Sequence, residues 1–298
     1  MDIQANIPIG RKTTMRIGGD ARYYAELASK QDVEEAATFA QSKNIPLIVL
    51  GGGSNTIFAD GVIEALVVKI TNDTVAISES RVTVGAGKIL ASLLNELAMN
   101  NLDLSPLTGI PGTVGGAVFG NAGQGPQGIW IDRFVESVVA FVDGEWKMFS
   151  RAECNFRYRE SLFKDCASTR SPKSEVRSPI LWGATLIVPS RPADEVKAEI
   201  ERLINKRIET QPHLKTAGSC FKALPDGTPA WKLIAAAGLQ GLTIGSIQVS
   251  EKHANFLLNV DKGTFADTVA VVEKIRQNVP DIAGVEMRFY GENGTLAL

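Results

Sequence analysis

The sequence has few of the residues that build metal centres and disulfide frameworks. The chain of 298 residues contains three cysteines, at positions 154, 166 and 220, with no CxxC pair. Its two histidines, His213 and His253, are forty positions apart. An odd number of isolated cysteines is typical of a reducing compartment, and structural zinc sites take their ligands from closely spaced pairs. We therefore predict no metal site.

Long apolar runs and an excess of basic charge are also missing. No stretch approaches the roughly 20 consecutive apolar residues that a membrane span needs, and no basic and apolar leader precedes the first helix signal. The formal net charge is −2 at pH 7, whereas general nucleic-acid and membrane-surface binders carry a basic excess. We expect a cytoplasmic protein that binds neither nucleic acid nor membrane.

Two halves are visible along the chain. Hydrophobic residues make up 44% and charged residues 21% of the sequence, as in a globular protein with a sizeable core. The length predicts two domains, or three. Helix and strand signals alternate in the first half: a helix over 29–44 with Ser29 as N-cap, a strand within 45–55, a strand and helix over 81–101, paired strands around Asp143-Gly144, and a strand over 178–190.

The second half begins with a charged amphipathic helix over 193–212, and we place a domain boundary near 190–215. Further helices are predicted over "AWKLIAAAGLQG" and "FADTVAVVEKIRQNV", and strands over "NFLLNV" and "GVEMRFYG". Alternation in the last segment predicts that Glu286 and Arg288 share one strand face. The fold class is α+β, with mixed sheets rather than one doubly wound sheet.

Glycine is concentrated in three turns of the first half. Gly51 to Gly53 directly follow a strand, where successive backbone N–H groups can form an anion-binding nest, although a plain tight turn explains them equally well. "TVGAGKI" lacks the glycine and hydroxyl positions of a P-loop, since these hold Val82 and Ile89. It also fails the GxGxxG pattern, because Leu90 stands at its last position.

The third glycine cluster is "LTGIPGTVGGAVFGNAGQG", residues 107–125, with seven glycines. Core residues such as Ile110, Val114 and Phe119 interrupt it, so it is not a linker. Three glycine turns in one domain predict a long, flat, phosphate-bearing ligand, for which a dinucleotide is suitable. The absence of GxGxxG argues against a Rossmann site.

Two polar segments have an ambiguous pattern. "NFRYRESLFKD" places Arg157, Tyr158, Arg159 and Glu160 side by side, and on spacing alone a surface edge strand with alternating charges is favoured. "AGSCFK" is equally compatible with a turn in which Ser219 bonds the backbone. It is not a GxSxG nucleophile elbow.

Taken together, several segments resemble the UDP-N-acetylenolpyruvoylglucosamine reductase family, FAD enzymes of bacterial peptidoglycan precursor synthesis. The matching segments occur in the family's order and span nearly the whole chain: "TTMRIGGDARYYAE", "LGGGSNTIFAD", "GIPGTVGGAVFGNAG", "CNFRYRESLFK", "TAGSCFK", "AWKLIAAAGLQG" and "VSEKHANFLLN". The chain is similar to the shorter of two family types, the one with the more open substrate site.

The resemblance implies an FAD-binding domain of the vanillyl-alcohol-oxidase type over 1–190, with subdomains of about 1–70 and 71–190, and an α+β substrate-binding domain over 191–298. Because both histidines lie beyond the implied FAD domain, we expect FAD to be bound non-covalently. The residues implied to bind it are Gly51, Gly52, Gly53, Ser54, Asn55, Thr56, Gly112, Thr113, Val114, Gly115, Gly116 and Asn121.

The implied activity is NADPH-dependent reduction of the enolpyruvyl group of UDP-N-acetylglucosamine enolpyruvate to UDP-N-acetylmuramate, through FAD. By matching position, Ser219 would protonate the α-carbon, while Arg159 and a protonated Glu286 would stabilise the enolate. Implied substrate contacts are Tyr158, Lys222, Lys252 and His253, of which the last two are equally compatible with plain surface residues. The family is usually monomeric and serves cell-wall synthesis, and with it cell shape and division.

The chain departs from the family pattern at two substrate- or cofactor-side positions. Ala223 replaces an asparagine, and Gln124 with the following residues replaces "AYG"; the proline usual before Glu286 is also absent. Two other functions therefore stay open from the sequence. One is another FAD-dependent oxidase or dehydrogenase acting on a sugar or alcohol, and the other is a flavin- or nucleotide-sugar-binding protein without turnover.

Overall fold

The chain divides into two compact units, each built from three separate stretches. A computed structural model describes residues 1–124, 128–168 and 179–298. Unit 1 consists of Met1–Ile3, Ala25–Gly52 and Val67–Asn205, and unit 2 consists of Gln4–Tyr24, Gly53–Leu66 and Lys206–Leu298. This is a different division from the consecutive domains read from the sequence, which stay a prediction. Residues 125–127, at the end of the third glycine cluster, lie outside the described residues.

Helices and strands are mixed along the described chain. The helices are α1 Lys30–Lys43, α2 Leu90–Met99, α3 Val114–Phe119, α4 Leu162–Ser168, α5 Ala193–Thr210, α6 Ala230–Ala236 and α7 Phe265–Asn278. The strands are β1 Gln4–Pro8, β2 Asp20–Leu27, β3 Leu47–Val49, β4 Thr56–Phe58, β5 Val62–Ile70, β6 Val75–Ser78, β7 Arg81–Gly85, β8 Val135–Val142, β9 Glu145–Ser150, β10 Ile180–Ile187, β11 Thr216–Ser219, β12 Thr243–Ile244, β13 Ile247–Val249, β14 Phe256–Asn259 and β15 Arg288–Tyr290. The chain contains both helices and antiparallel sheets, as the α+β prediction requires.

Unit 1 contains an antiparallel sheet with the strand order β6-β7-β10-β8-β9. The β8–β9 hairpin turns at Asp143 and Gly144, both of which have positive φ, 54° and 81°. Two such residues form the turn whose twist matches that of the flanking strands, so the predicted hairpin is confirmed. Helix α3, which lies within the third glycine cluster, packs against β7 and β10. The sheet therefore supports the middle of that glycine-rich segment.

Unit 2 contains the antiparallel sheet β11-β14-β13-β12, with α7 packed on β12 and β13. Strand β15 pairs in parallel with β4, and Arg288 lies opposite Thr56. One buried apolar cluster joins all three stretches of the unit, through residues such as Met15, Ile57 and Leu257. Burial of this cluster explains why residues far apart in sequence form one compact body.

A further sheet has the strand order β1-β2-β5-β3, and along the chain β2 and β5 each continue from one unit into the other. Within unit 2, Gln4 of β1 is paired with Tyr24 of β2, and Pro8 with Asp20. Among the described residues, no helix is both long and apolar enough to cross a membrane.

Helix α1 begins and ends where the sequence predicts. The Ser29 hydroxyl accepts a hydrogen bond from the Asp32 N–H, and the Asp32 carboxylate accepts one from the Ser29 N–H. This reciprocal pair is a capping box, which satisfies N–H groups that have no partner inside the helix. Asn44 ends the helix in the left-handed conformation. Helix α7 begins with the same device, made by Thr264 and Asp267.

The predicted strand over "GVEMRFYG" is wrong in its first half. Strand β15 begins only at Arg288, so Glu286 precedes it and does not share its face. The physical reason is a competing partner. Val285 forms a bridge with Phe221, and the Glu286 N–H donates to the Cys220 carbonyl, which commits this backbone to another segment.

Candidate active site

Two glycine turns of unit 1 are packed backbone against backbone. A Cβ atom on Gly52 would lie 2.6 Å from the Gly112 Cα, and one on Gly51 would lie 2.9 Å from the Thr113 Oγ1. Gly112 also has a φ of +104°, which side-chain-bearing residues rarely adopt. Because a side chain at Gly52 would enter the neighbouring backbone, these positions require glycine for close approach and not for flexibility.

The first of these turns offers backbone donors that the described residues leave unused. Among the described residues, the N–H groups of Gly51 and Gly52 have no acceptor, and both residues are partly exposed. Gly116 is exposed, and a Cβ there would meet only the Thr113 Oγ1, at 3.6 Å. Adjacent free N–H groups beside open backbone are what a diphosphate needs, so these residues fit the phosphate part of FAD.

Other predicted cofactor residues are engaged within unit 1. The Val114 and Gly115 N–H groups donate to the carbonyls of Lys88 and Ala86, and the Gly116 N–H donates to the Thr113 Oγ1. These bonds fix the entry to α3. The N–H groups of Val114, Gly115 and Gly116 therefore shape the loop, whereas those of Gly51 and Gly52 remain available to a ligand.

In unit 2, the continuation of the first glycine turn is tied to the segment that contains Glu286. Gly53 has a φ of +65°, and the residues that follow it are Ser54, Asn55 and Thr56. The Asn55 Nδ2 donates to the Glu286 carbonyl at 3.1 Å, and the Arg288 N–H donates to the Asn55 carbonyl at 3.0 Å. The predicted cofactor residue Asn55 thus holds the backbone of a predicted catalytic residue.

Ser219 and Glu286 lie on adjacent backbone segments of unit 2. Ser219 is the last residue of β11 and is paired with Phe256. Directly after it, the Cys220 carbonyl accepts the Glu286 N–H at 2.8 Å, and the Lys222 N–H donates to the Gly284 carbonyl at 3.0 Å. Burial raises the pKa of the Cys220 thiol, so this neighbour of Ser219 stays protonated and carries no charge.

Arg159 lies in unit 1, in a tight turn and not in the edge strand that its alternating charges favoured. The backbones of Arg157 and Glu160 exchange two hydrogen bonds, at 3.0 and 3.1 Å, which closes the turn over two residues. Arg159 has a φ of +58°. A residue other than glycine costs about 1 kcal/mol or more in this region, and such strain is concentrated at functional sites.

Asn121, predicted to bind the cofactor, has a buried side chain that supports this turn. Its Nδ2 donates to the Arg157 carbonyl at 3.0 Å, and its Oδ1 accepts the Asp132 N–H at 3.3 Å. The Ser161 hydroxyl donates to the Phe119 carbonyl at 2.6 Å, which joins the other end of the turn to α3. The third glycine cluster therefore holds the Arg159 turn in place.

Comparisons with known proteins show which family the chain belongs to. Residues 211–289 match the family model of the UDP-N-acetylenolpyruvoylglucosamine reductase C-terminal domain, and residues 21–149 match that of an FAD binding domain. A UDP-N-acetylenolpyruvoylglucosamine reductase of Agathobacter rectalis is 34% identical, over 94% of this chain and 90% of its own length. The UDP-N-acetylenolpyruvoylglucosamine reductase of Aquifex aeolicus is 35% identical, over 94% of this chain and 91% of its own length. The chain belongs to the UDP-N-acetylenolpyruvoylglucosamine reductase family.

The fold of this family member is also that of a solved relative. The crystal structure of the reductase from Thermus caldophilus matches with a TM-score of 0.79 and 28% identity, covering 97% of this chain and 98% of that one. The predicted α+β fold, with an FAD-binding domain and a C-terminal domain of the reductase family, is confirmed. The chain is accordingly an FAD-dependent oxidoreductase.

Two of the residues predicted to contact substrate, Tyr158 and Lys252, have neighbours of different kinds. The Tyr158 ring lies 5.7 Å from that of Trp130 and 5.6 Å from the Arg159 guanidinium. The Lys252 Nζ donates to the Ile208 carbonyl in the last turn of α5, at 2.5 Å. This contact is compatible with the alternative that Lys252 is a surface residue, because a cation stabilises a helix C-terminus.

His253 is partly buried between two aromatic rings. Its ring centroid lies 4.7 Å from that of Phe256 and 6.1 Å from that of Trp231. Burial lowers the pKa of its imidazole, which favours the neutral form. Substrate contact by His253 and Lys252 stays a prediction, as do the roles of Tyr158 and Lys222.

Two residues that matter for the site's geometry have no clear signal in the sequence. The Gln124 Nε2, at a position where the chain departs from the family pattern, donates to the carbonyls of Pro106 and Thr108 at 3.2 and 3.0 Å. Asn255 is buried, and its carboxamide bonds the backbone of Phe221, two residues after Ser219. Buried amides normally bond main-chain groups, but the sequence does not show that Asn255, at the start of the apolar segment "NFLLNV", is buried.

Proposed function

We propose that the chain catalyses NADPH-dependent, FAD-mediated reduction of the enolpyruvyl group of UDP-N-acetylglucosamine enolpyruvate to UDP-N-acetylmuramate. The observation that supports it most is the adjacency of Ser219 and Glu286, whose backbone segments are joined by the bond from the Glu286 N–H to the Cys220 carbonyl. Family membership and the two glycine turns support the same activity. The reaction belongs to peptidoglycan precursor synthesis, and we propose a cytoplasmic monomer that needs no metal.

Bound FAD would supply the hydride chemistry, with electrons taken from NADPH. The chain's part in this is to hold the diphosphate. The N–H groups of Gly51 and Gly52 would donate to it, and the open backbone at Gly116 would allow its oxygens to approach. A Cβ atom on Gly52 would lie 2.6 Å from the Gly112 Cα, so a larger residue there would disturb the turn that carries these donors.

Ser219, Glu286 and Arg159 would act on the substrate. Once hydride has been added to the β-carbon, the α-carbon carries the electron pair of an enolate. The Ser219 O–H bond breaks as a C–H bond forms at that carbon, and the serine recovers its proton from solvent. Glu286, holding a proton, and the Arg159 guanidinium would donate hydrogen bonds to the substrate carboxylate, where the enolate charge develops.

The test separates the two halves of the reaction. The purified holoenzyme is reduced anaerobically with NADPH, and the flavin absorbance is followed as UDP-N-acetylglucosamine enolpyruvate is added. Rapid return of the oxidised bands is expected for the wild type. Ser219→Ala should keep its reduction by NADPH and lose reoxidation by the substrate. Ser42→Ala is the matched control, because the Ser42 hydroxyl only donates to the Phe39 carbonyl on the exposed surface of α1.

Two outcomes would reject the proposal. Bleaching by NADPH without reoxidation by the substrate would indicate a flavoenzyme with a different acceptor. Reoxidation at the wild-type rate in Ser219→Ala would show that the proton comes from another group, and the assigned chemistry would then be wrong.

A further inference from the structure

The side chain of Asn255 pairs with the chain that follows Ser219 as a strand would. Its Oδ1 accepts the Phe221 N–H at 2.9 Å, and its Nδ2 donates to the Phe221 carbonyl at 2.9 Å. The Asn255 main-chain carbonyl accepts the Cys220 N–H at 2.8 Å. Three hydrogen bonds from one residue therefore hold the two residues next to Ser219.

This carboxamide extends the sheet beyond its last strand pair. Strand pairing between β11 and β14 ends with Ser219 opposite Phe256, and β14 begins only there. On the opposite side, residues 220–222 are bonded by the backbone of 284–286. The segment between Ser219 and Lys222 is thus held by backbone on one side and by one buried amide on the other.

Among the described residues, Asn255 is the hydrogen-bond partner of both main-chain groups of Phe221. Phe221 is 1% exposed and Asn255 is 6% exposed, so solvent has little access to the Phe221 N–H and carbonyl. Buried backbone groups that lose their partners are costly and are avoided by local rearrangement. An ionised carboxylate can accept but not donate, and an apolar side chain can do neither.

The turn before Asn255 fixes its direction. The Ser250 Oγ accepts the N–H groups of Lys252 and His253, at 3.1 and 3.2 Å. The Phe256 N–H donates to the His253 carbonyl at 2.9 Å, and the two rings are in contact. The segment "VSEKHANF" therefore forms a rigid turn that presents the Asn255 amide.

We propose that Asn255 is a positioning residue for proton delivery by Ser219. It transfers no proton itself: the bond that breaks is the Ser219 O–H and the bond that forms is the substrate C–H. Its amide sets the register of the Ser219–Phe221 backbone against Glu286, and so places the serine hydroxyl. This inference rests on the proposed function, and it predicts that disturbing the amide affects the proton-dependent half-reaction selectively.

Asn259, the last residue of β14, provides a matched control. It is 4% exposed, its Nδ2 donates to the Met15 carbonyl at 2.9 Å, and its Oδ1 accepts the Gly263 N–H at 2.9 Å. Both asparagines are buried in unit 2, and each uses both ends of its amide to bond main-chain groups. Only Asn255 bonds the segment next to Ser219.

The experiment compares Asn255→Asp with Asn259→Asp in the FAD-loaded protein. Both substitutions should lower the thermal unfolding midpoint, because each replaces a buried donor with a carboxylate. Only Asn255→Asp should slow flavin reoxidation by UDP-N-acetylglucosamine enolpyruvate, by about tenfold or more, since small displacements of reacting groups have effects of this size. The rate of flavin reduction by NADPH should stay within about twofold of wild type in both variants, a much smaller change than the expected slowing of reoxidation.

Two further readouts separate positioning from loss of stability. A protonated aspartic acid can donate to the Phe221 carbonyl and accept its N–H, so lower pH should restore reoxidation in Asn255→Asp relative to wild type at the same pH. Hydrogen exchange measured by mass spectrometry should be faster at residues 219–222 in Asn255→Asp and unchanged there in Asn259→Asp. If Asn255→Asp does not fold, Asn255→Gln keeps donor and acceptor and displaces them by one methylene, and the same selective slowing is expected.

The failures are distinguishable. Equal reoxidation rates in the two variants, or equal slowing of both half-reactions in Asn255→Asp, would overturn the inference alone. Failure of the wild type to be reoxidised by the substrate would overturn the proposed function, and the role of Asn255 in proton delivery with it.

Discussion

Glu286 is held in place by an asparagine more than two hundred positions away in the chain. The Asn55 Nδ2 donates to the Glu286 carbonyl, while the Asn55 carbonyl accepts the Arg288 N–H. Asn55→Ala removes only the first of these bonds. We expect the free energy of unfolding to fall by about 1 kcal/mol, the usual net value of such a bond. Flavin reoxidation should slow as well, because the backbone of the proposed enolate-stabilising residue is released.

The matched control for Asn55→Ala is Asn278→Ala. The Asn278 Nδ2 also donates to a main-chain carbonyl, that of Lys274, but at the exposed end of α7. Urea denaturation and rapid-reaction spectroscopy of the flavin measure the two effects. Equal reoxidation rates in the two variants would show that Asn55 has no influence on Glu286.

His253 gives the fold a pH dependence of definite sign. Burial lowers the pKa of its imidazole below the ordinary 6.5. Between the lowered value and 6.5, the unfolded chain binds more protons than the folded one, so the stabilisation is complete above 6.5 and is lost as pH falls. The free energy of unfolding should therefore decrease on acidification from about pH 7 towards 5, the range in which an ordinary histidine titrates.

Chemical denaturation at a series of pH values measures this contribution. His253→Gln should show a flatter dependence in that range, and His213→Gln, as the control, should keep the wild-type contribution of His253. An unchanged slope in His253→Gln would contradict the assignment. The rings in contact with His253, those of Trp231 and Phe256, do not titrate in this range.

At the scale of elements, the glycine turns allow a test of the proposed FAD site without disturbing the fold. A Cβ on Gly116 would meet only the Thr113 Oγ1 at 3.6 Å, and alanine is a better helix former than glycine. Gly116→Ala should therefore leave the apoprotein as stable as wild type or more stable. If the diphosphate approaches this backbone, the same methyl group should weaken FAD binding by about tenfold or more, which corresponds to about 1.4 kcal/mol of binding free energy.

Gly120→Ala is the control for Gly116→Ala. Its Cβ would meet only the Gly116 carbonyl oxygen, at 3.6 Å, at the other end of α3. Fluorescence titration of the two apoproteins with FAD provides the comparison. Equal affinities would indicate that the diphosphate does not lie against Gly116.

Elements defined by local signals were predictable from the sequence, and those defined by distant partners were not. Helix α1 was recognised from its N-cap and periodicity, and the β8–β9 hairpin from its Asp-Gly turn. The alternating charges around Arg159 and the alternation around Glu286 both indicated strands, yet the first segment forms a turn and the second forms a strand only from Arg288 onward. In each case hydrogen bonds that the pattern does not reveal decide the backbone: those between Arg157 and Glu160 with support from Asn121, and that from the Glu286 N–H to the Cys220 carbonyl.

At the scale of the whole molecule, the sequence order conceals how the chain is grouped. Short stretches such as Gln4–Tyr24 and Gly53–Leu66 join the C-terminal third in unit 2. Burial of the apolar cluster that includes Ile57 and Leu257 explains this grouping, but no local sequence pattern predicts it. Arg159 belongs to unit 1, whereas Ser219 and Glu286 belong to unit 2.

FAD should stabilise the whole protein by mass action, and the size of the effect identifies the part of the ligand that the glycine turns bind. A ligand that binds only the folded state adds about 2.7 kcal/mol to the free energy of unfolding at a hundredfold excess over its Kd. The unfolding midpoint of the apoprotein should therefore rise with the logarithm of FAD concentration.

Riboflavin has the same ring system without the diphosphate, so it cannot use the N–H groups of Gly51 and Gly52. At equal concentration it should raise the midpoint far less, and equal shifts would show that these donors do not hold the cofactor.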